Sequence, residues 1–299
     1  MKKGEMMNKK LFIAFSMLIS IHLVSNAEDS QSTPHLKAEF NVGKYWREGM
    51  TWDEFNRLKL FLERPELVKT QDKIEQQKIA KAAGLKVAKT YIASREKIPL
   101  VDLISILPTT YVAKATHLSW SDGLLIVKDG INILTNRPIT PEQVEEHMHN
   151  LLETKTKREE SWAFHQVQPG FMIQEYIPHR TEVKIQTTFG KAIAGVWFSG
   201  ETNGDRAAQI GTYGRSGNKM EGTINEAPQW WPNAIAAAEL LAKNTDALRL
   251  DFFIRENSEL LLNEIEFYPL INWHDSTKQL LMKAVNKGYR RLRSRSRKA

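Results

Sequence analysis

The chain has 299 residues, 41% of them hydrophobic and 26% charged, ordinary proportions for a globular protein with room for a sizeable core and two lobes. The absence of cysteine excludes disulfides, thiolate catalysis and thiolate metal sites. The formal net charge of +7 is gathered at the ends: residues 1–27 carry +3 and residues 289–299 carry +6, so the body is left at −2. A mildly acidic body argues against a nucleic-acid-binding surface on the fold itself.

In chain order, Lys9 and Lys10 precede the apolar run Leu11–Val24, which is followed by Ser25-Asn26-Ala27 and acidic Glu28-Asp29. A basic start, a short apolar run and small residues before a cleavage point predict a secretory signal peptide over residues 1–27, and hence an exported protein. Met7 is an alternative start. The run falls short of the roughly 20 residues of a membrane span. An uncleaved anchor is the alternative reading.

Residues 28–50 read as a polar leader. Thr51-Trp52-Asp53-Glu54 is a capping box opening a helix whose apolar side is Phe55, Leu58, Phe61 and Leu62. A second helix runs from Asp72 to a stop at Gly84, with its lysines on a solvated face. Strands are expected at Val87–Ala93, Thr110–Ala115, Leu124–Val127 and Ile131–Leu134. A helix opening at Thr140-Pro141 runs to about Lys155. Strands follow at Phe171–Ile177, Glu182–Phe189 and Ala192–Phe198, then a glycine-dotted loop over Gly200–Gly222. An alanine-rich helix, Asn233–Lys243, and a final helix, Ser276–Arg290, flank a hairpin. The order is mixed α/β with antiparallel hairpins and no regular βαβ alternation. The Arg/Ser tail beyond reads as disordered, with a weak contact to an anionic membrane or polymer open to it.

That hairpin, Arg249–Pro269, alternates with period two on either side of the polar break Glu256–Glu259. Leu250, Phe252 and Ile254 share one face, and Arg249 and Asp251 the other. In the second strand Leu261, Asn263, Ile265 and Phe267 share a face, and Glu264, Glu266 and Tyr268 the opposite one. A register centred on Asn257-Ser258 places Asp251 across from Glu264 and Arg249 across from Glu266. Three carboxylates on one face repel one another unless a hard cation such as Mg²⁺ sits among them. A solvated face with ordinary salt bridges is the other reading. Elsewhere, His147 and His149 lie two apart on a helix and do not face one another as metal ligands do. Trp197, Trp230, Trp231 and Trp273 read as core or interface packing residues, with the lining of a sugar site as the alternative. His274-Asp275 is a weaker candidate for an acceptor-side base and its partner.

Four motifs stand in order: Tyr111-Val112-Ala113-Lys114 with the turn Thr116–Gly123; Phe171–Ile177 followed by Glu182-Val183-Lys184; Arg249-Leu250-Asp251; and Asn263-Glu264-Ile265-Glu266. Over roughly residues 70–275 this succession resembles the ATP-grasp superfamily, in particular its teichuronopeptide-biosynthesis-like branch. The resemblance implies an α+β fold of two lobes, rich in antiparallel sheet, gripping nucleotide between them. Its boundaries are an N-terminal α/β region at 28–109, a small lobe at 110–175, a large lobe with the metal hairpin at 176–290, and a tail at 291–299.

By the same resemblance Lys114 reaches the nucleotide phosphates, a task that suits a point charge on a flexible stem. His117 and Ser119 belong to the loop covering the phosphates, which here has one glycine and places Trp120 where a small residue is expected. Gln174, Glu175 and Ile177 form the hinge beside adenine. Glu182 grips the ribose hydroxyls, and Lys184 meets phosphate or substrate. Arg249 neutralises the transferred phosphoryl group. Asp251, Glu264 and Glu266 bind Mg²⁺. The implied activity is an ATP- and Mg²⁺-dependent carboxylate–amine ligase working through an acylphosphate on a cell-envelope, peptide or polysaccharide acceptor. A kinase acting on a hydroxyl and a degenerate nucleotide-binding module are the alternatives.

Overall fold

The computed structural model describes residues 42–119, 121–157, 159–178, 181–199, 208–222, 224–243, 245–268 and 273–296. The expected signal peptide and Trp120 lie outside them. Two six-stranded sheets, antiparallel throughout, define an α+β architecture.

The first sheet contains β1 (Thr90–Ser94), β2 (Thr110–Ala115), β3 (Leu125–Lys128), β4 (Ile131–Asn132), β5 (Arg137–Pro138) and β6 (Phe171–Glu175), in the order β1-β6-β2-β3-β4-β5. The second contains β7 (Thr181–Thr188), β8 (Lys191–Ser199), β9 (Ala208–Gly214), β10 (Lys219–Gly222), β11 (Ala247–Ile254) and β12 (Leu260–Glu266), in the order β10-β9-β8-β7-β11-β12. Eight helices occur among the described residues: α1 (Trp52–Leu60), α2 (Pro65–Gln71), α3 (Lys73–Ala82), α4 (Val101–Ile104), α5 (Pro141–Leu151), α6 (Trp162–His165), α7 (Trp231–Leu241) and α8 (Asp275–Ser296). None of them is long and apolar enough to cross a membrane.

Local chemistry sets the helix starts as expected. Thr51 and Glu54 form a reciprocal capping box on α1, Asp72 caps α3 through the Ile74 N–H, and Thr140 with Gln143 repeats the box on α5. Each sheet has its own core. Ile92, Tyr111, Ala113, Val127, Phe171 and Ile173 pack with Val144 and Met148 of α5. Under the second sheet, Val183, Ile185, Val196, Leu250 and Ile265 pack with α7 and α8. The alanines of α7 allow close approach, and Gly195 completes it. A Cβ there would come within 2.5 Å of Ile185 Cδ1 and 2.7 Å of Trp231 Cη2.

Several features differ from what local patterns suggest. β1, which precedes residue 110, is hydrogen-bonded into the first sheet beside β6, and its Ile92 enters that core. Trp46, Trp52, Phe55 and Leu67 belong to the core of the second sheet, so the N-terminal helices pack on the C-terminal lobe before the chain crosses to the first. The stretch read as a loop over 200–222 contains β9 and β10. Gly211 and Gly214 sit within β9, where neighbours approach closely, and at Gly211 a Cβ would meet the Tyr213 hydroxyl oxygen at 2.9 Å. Finally, the tail read as disordered from residue 291 continues α8 to Ser296, with Arg293 stacked 4.4 Å above the Trp46 ring.

Candidate active site

Three adjacent strands build the floor of a cleft between the two sheets. β11 lies between β7 and β12, and its register sets Asp251 opposite Lys184 on one side and Glu264 on the other. Arg249 is likewise flanked by Gln186 and Glu266. Directly opposed residues share a face, so six side chains that alternate along three separate strands meet on one surface. The register expected from the turn therefore holds at the charged end of the hairpin.

It does not hold near the turn. Phe252 pairs with Leu262 and Ile254 with Leu260, one residue short of that register, and the difference is taken up at Asn263. Two residues of a bulged strand oppose one of its partner. Asn263 consequently lines the cleft with Glu264 and Glu266, and does not share the face of Leu261 and Ile265 expected for it. The broken alternation Leu260-Leu261-Leu262, with Leu261 and Leu262 both buried, was the signal in the sequence.

From the first sheet, β2 contributes Val112 and Lys114, while Tyr111, Ala113 and Ala115 turn to the core. The cleft encloses about 570 Å³, within the range for small-molecule sites. Lys114, Ser119, Gln174, Glu175, Ile177, Glu182, Lys184, Arg249, Glu264 and Glu266 all line it. Val112, Leu124, Ile126, Phe198 and Phe253 supply apolar wall, suited to a flat ring. At the hinge, Glu175 accepts from the Lys89 N–H at 2.7 Å and from Arg255 at 2.7 Å, which ties the first sheet to the end of β11.

Two predicted residues do not face this cleft. His117 is 1% exposed, with Nδ1 accepting from the Gly170 N–H at 3.3 Å and Nε2 donating to the Thr154 carbonyl at 2.9 Å. Both ring nitrogens are engaged, and burial pushes the imidazole below its ordinary pKa, outweighing the two backbone bonds. His117 is a neutral strut beneath the loop, and no nitrogen is left for a phosphate.

Asp251 is completely buried. Its carboxylate takes a two-pronged bond from Arg249 (Nε to Oδ1 2.7 Å, Nη2 to Oδ2 2.9 Å) and a third from Lys184 at 2.7 Å. Burial would raise its pKa, but the charges of Arg249 and Lys184 outweigh burial and hold it below the ordinary value. The Asp251 oxygens are therefore taken up by Arg249 and Lys184, and among the described residues no group of three or more His, Asp or Glu is placed to hold a metal ion. Glu264, Glu266 and the Asn263 carbonyl remain as oxygen donors, the chemistry a hard divalent cation takes. Glu266 is raised well above its ordinary pKa, by burial first and by the neighbouring Glu264 next. Positive charge at that point would relieve the repulsion, so the donor set fits Mg²⁺.

Lys73, at the start of α3, departs from the solvated face that the sequence suggests for this helix's lysines. It reaches into the cleft, with Nζ 2.6 Å from the Leu118 carbonyl and 3.7 Å from Glu264. Glu160 also lines the cleft and accepts from Ser119. Neither carried a sequence signal, because both come from elements outside the four motifs. The loop's single glycine is required where it stands. Gly123 has φ +71° and a Cβ there would lie 2.4 Å from Leu151 Cδ2. His147 and His149 are half-buried struts that bond the backbone carbonyls of Gly123 and Ile98. Trp230, Trp231 and Trp273 are core residues. His274 is mostly exposed beside Glu221 and outside the cleft.

No family model and no curated protein matches this sequence. Solved structures do match. D-cycloserine synthetase DcsG superposes with a TM-score of 0.51 at 13% identity, covering 78% of this chain and 77% of that one. N5-carboxyaminoimidazole synthetase from Staphylococcus aureus, solved with ADP, gives 0.46 at 15% identity over 72% of this chain, and this chain spans about half of its length (51%). D-alanine–D-alanine ligase from Bacillus anthracis gives 0.48 at 16%, over 76% and 70% of the two chains. The likeness to DcsG establishes an ATP-grasp fold for this chain.

Proposed function

We propose that this protein is an ATP- and Mg²⁺-dependent ligase of the ATP-grasp type that joins a carboxylate to an amine. The observation that carries the reading is the convergence of Arg249, Glu264 and Glu266 with Lys184 on one cleft floor, facing Lys114 from the other sheet. The named activities of the structural neighbours, ATP- or ADP-bound in several cases, favour the same class.

In this reading the hinge at Gln174–Ile177 and the apolar wall hold adenine, Glu182 accepts the ribose hydroxyls, and Lys114 and Lys184 meet phosphate oxygens. Glu264 and Glu266, with Asn263 beside them, hold Mg²⁺. Bound there, the cation neutralises phosphate charge and orients the terminal group. Asp251 acts one step back: its bonds fix Arg249 and Lys184, so the guanidinium meets developing negative charge without reorganising. The acylphosphate route, a cell-envelope acceptor of the teichuronopeptide-like kind, and targeting by residues 1–27, as an export signal or as an uncleaved membrane anchor, belong to this proposal as its finer parts.

Nucleotide titration with and without Mg²⁺, followed by ADP release against a panel of acids and amines, tests it. A ligase releases ADP only when both acid and amine are present. ADP release with a hydroxyl acceptor alone would assign a kinase instead. Lys114→Ala is expected to weaken ATP binding by at least about tenfold, the loss of one charge-assisted contact of 1.5–3 kcal/mol. An unchanged dissociation constant would remove Lys114 from the site.

A further inference from the structure

The last helix carries a feature the cleft does not use. The inner side of α8 is buried through Thr277, Leu281, Met282, Val285 and Tyr289, but from Arg290 to Arg295 every residue is exposed. Between Ser276 and the C-terminus there is no acid and there are nine Lys or Arg residues. Lys278 is paired with Asp53 at 2.9 Å, Arg290 with Glu48, and Arg293 stacks on Trp46.

Lys283, Lys287, Arg291 and Arg295 form no ion pair among the described residues, and all four are exposed. They stand four apart, and each step of four advances only about 40° around a helix, so they make one continuous stripe. Leu280, 41% exposed, lies on the same side. A run of like charge whose members form no ion pair among the described residues suits an anionic partner outside the fold.

The chain's entry point indicates what kind. Val42, the first described residue, donates its N–H to Asp246 Oδ2 at 2.9 Å, and the Tyr289 hydroxyl of α8 donates to the same oxygen at 2.6 Å. Trp46 stacks on Tyr289 at 5.0 Å and lies under Arg293. Val42 therefore lies beside the basic end of α8. The apolar run Leu11–Val24 ends 18 residues earlier. An extended chain of that length reaches about 60 Å at most. α8, at 1.5 Å per residue, is about 33 Å long. An apolar segment seated in a bilayer would thus hold the whole stripe within reach of the headgroups.

We propose that the outer face of α8 docks this protein on an anionic lipid surface, with Lys283, Lys287, Arg291 and Arg295 against headgroup phosphates. An apolar segment or a basic patch alone gives weak attachment, and the two together give a stable one.

The test uses full-length protein with vesicles of phosphatidylcholine alone or mixed with phosphatidylglycerol, read by co-sedimentation. At about fivefold per basic side chain, the anionic vesicles are expected to bind more than about a hundredfold more tightly, with the preference falling as salt is added. Replacing all four by alanine should abolish that preference while leaving partition into neutral vesicles and the melting temperature unchanged. Exchanging each Lys for Arg and each Arg for Lys should preserve it. Equal binding to both vesicle types, or a preference that survives the four alanines, would overturn the proposal. Displacement from anionic vesicles by duplex DNA at equal phosphate concentration would also overturn it and assign the stripe to nucleic acid.

Discussion

Two aspartates five residues apart along the chain have opposite roles. Asp246, just before β11, is 1% exposed and holds Lys59 at 2.7 Å, the N–H groups of Val42 and Ala247, and the Tyr289 hydroxyl. Its partners come from four places in the chain, and the wholly buried Lys59 also donates to the Ala247 carbonyl at 2.6 Å. Asp251 is as deeply buried, but its partners, Arg249 and Lys184, both line the cleft. The first cluster is closed, with both carboxylate oxygens satisfied and none of its members lining the cleft. The second is open on one side, where Glu264 and Glu266 repel each other. Burial and charge alone do not mark a site. A site is marked when the fixed charges hold other charges at the wall of a cavity.

The largest expected effect breaks the closed cluster. Asp246→Ala leaves Lys59 buried without its counter-ion, and the free energy of unfolding measured in denaturant should fall by about 3–5 kcal/mol. Asp251→Asn is expected to act mainly on ligand binding. Outer-shell partners of a metal site are worth about 10–100-fold, so Mg²⁺-dependent ATP affinity should drop by that factor while unfolding stays cooperative. Equal damage to stability in both variants would erase the distinction between the clusters.

Asn263→Ala should cost about 1 kcal/mol in Mg²⁺-dependent ATP binding, the loss of one hydrogen-bonding group, and should leave binding without Mg²⁺ unaltered.

The smallest effect has the opposite sign. Burial and Glu264 raise the folded-state pKa of Glu266, so the stability associated with this group is complete below its unfolded pKa, about 4.3, and is lost as pH rises through the folded value. Glu266→Gln should therefore raise the melting temperature at neutral and alkaline pH, with the gain vanishing in acid. Saturating Mg²⁺ should narrow the same gap by stabilising the wild type. A variant that melts lower than wild type at pH 8 would contradict the strain assigned to Glu266.

Much of the fold could be read in order because its signals are local. Capping boxes at Thr51 and Thr140, alternation in 110–115, and the break at 256–259 each act within a few residues of themselves. The bulge at Asn263 was visible only as a lapse in alternation, and the glycines of 208–222 concealed strands because a glycine signals a turn as readily as a close approach. His117 failed as a phosphate ligand for a different reason. Its partners, Gly170 and Thr154, are 53 and 37 residues away, and no local pattern specifies such bonds.

The sequence by itself determined the hairpin, the placement of charge on its polar face, the alternation that brings Lys114, Glu182 and Lys184 to one side of their strands, and the uncompensated basic charge at the C-terminus. Tertiary structure alone decided which of these charges meet. Pairing of β11 with β7 gave Asp251 to Lys184 and Arg249, withdrawing it from the set of Glu264 and Glu266. Packing of α3 against β12 brought Lys73 to the cleft, and packing of Trp46 on α8 turned an apparent tail into a helix. Period and capping depend on neighbours along the chain, whereas the partner of a charge depends on which distant strand or helix the core places beside it.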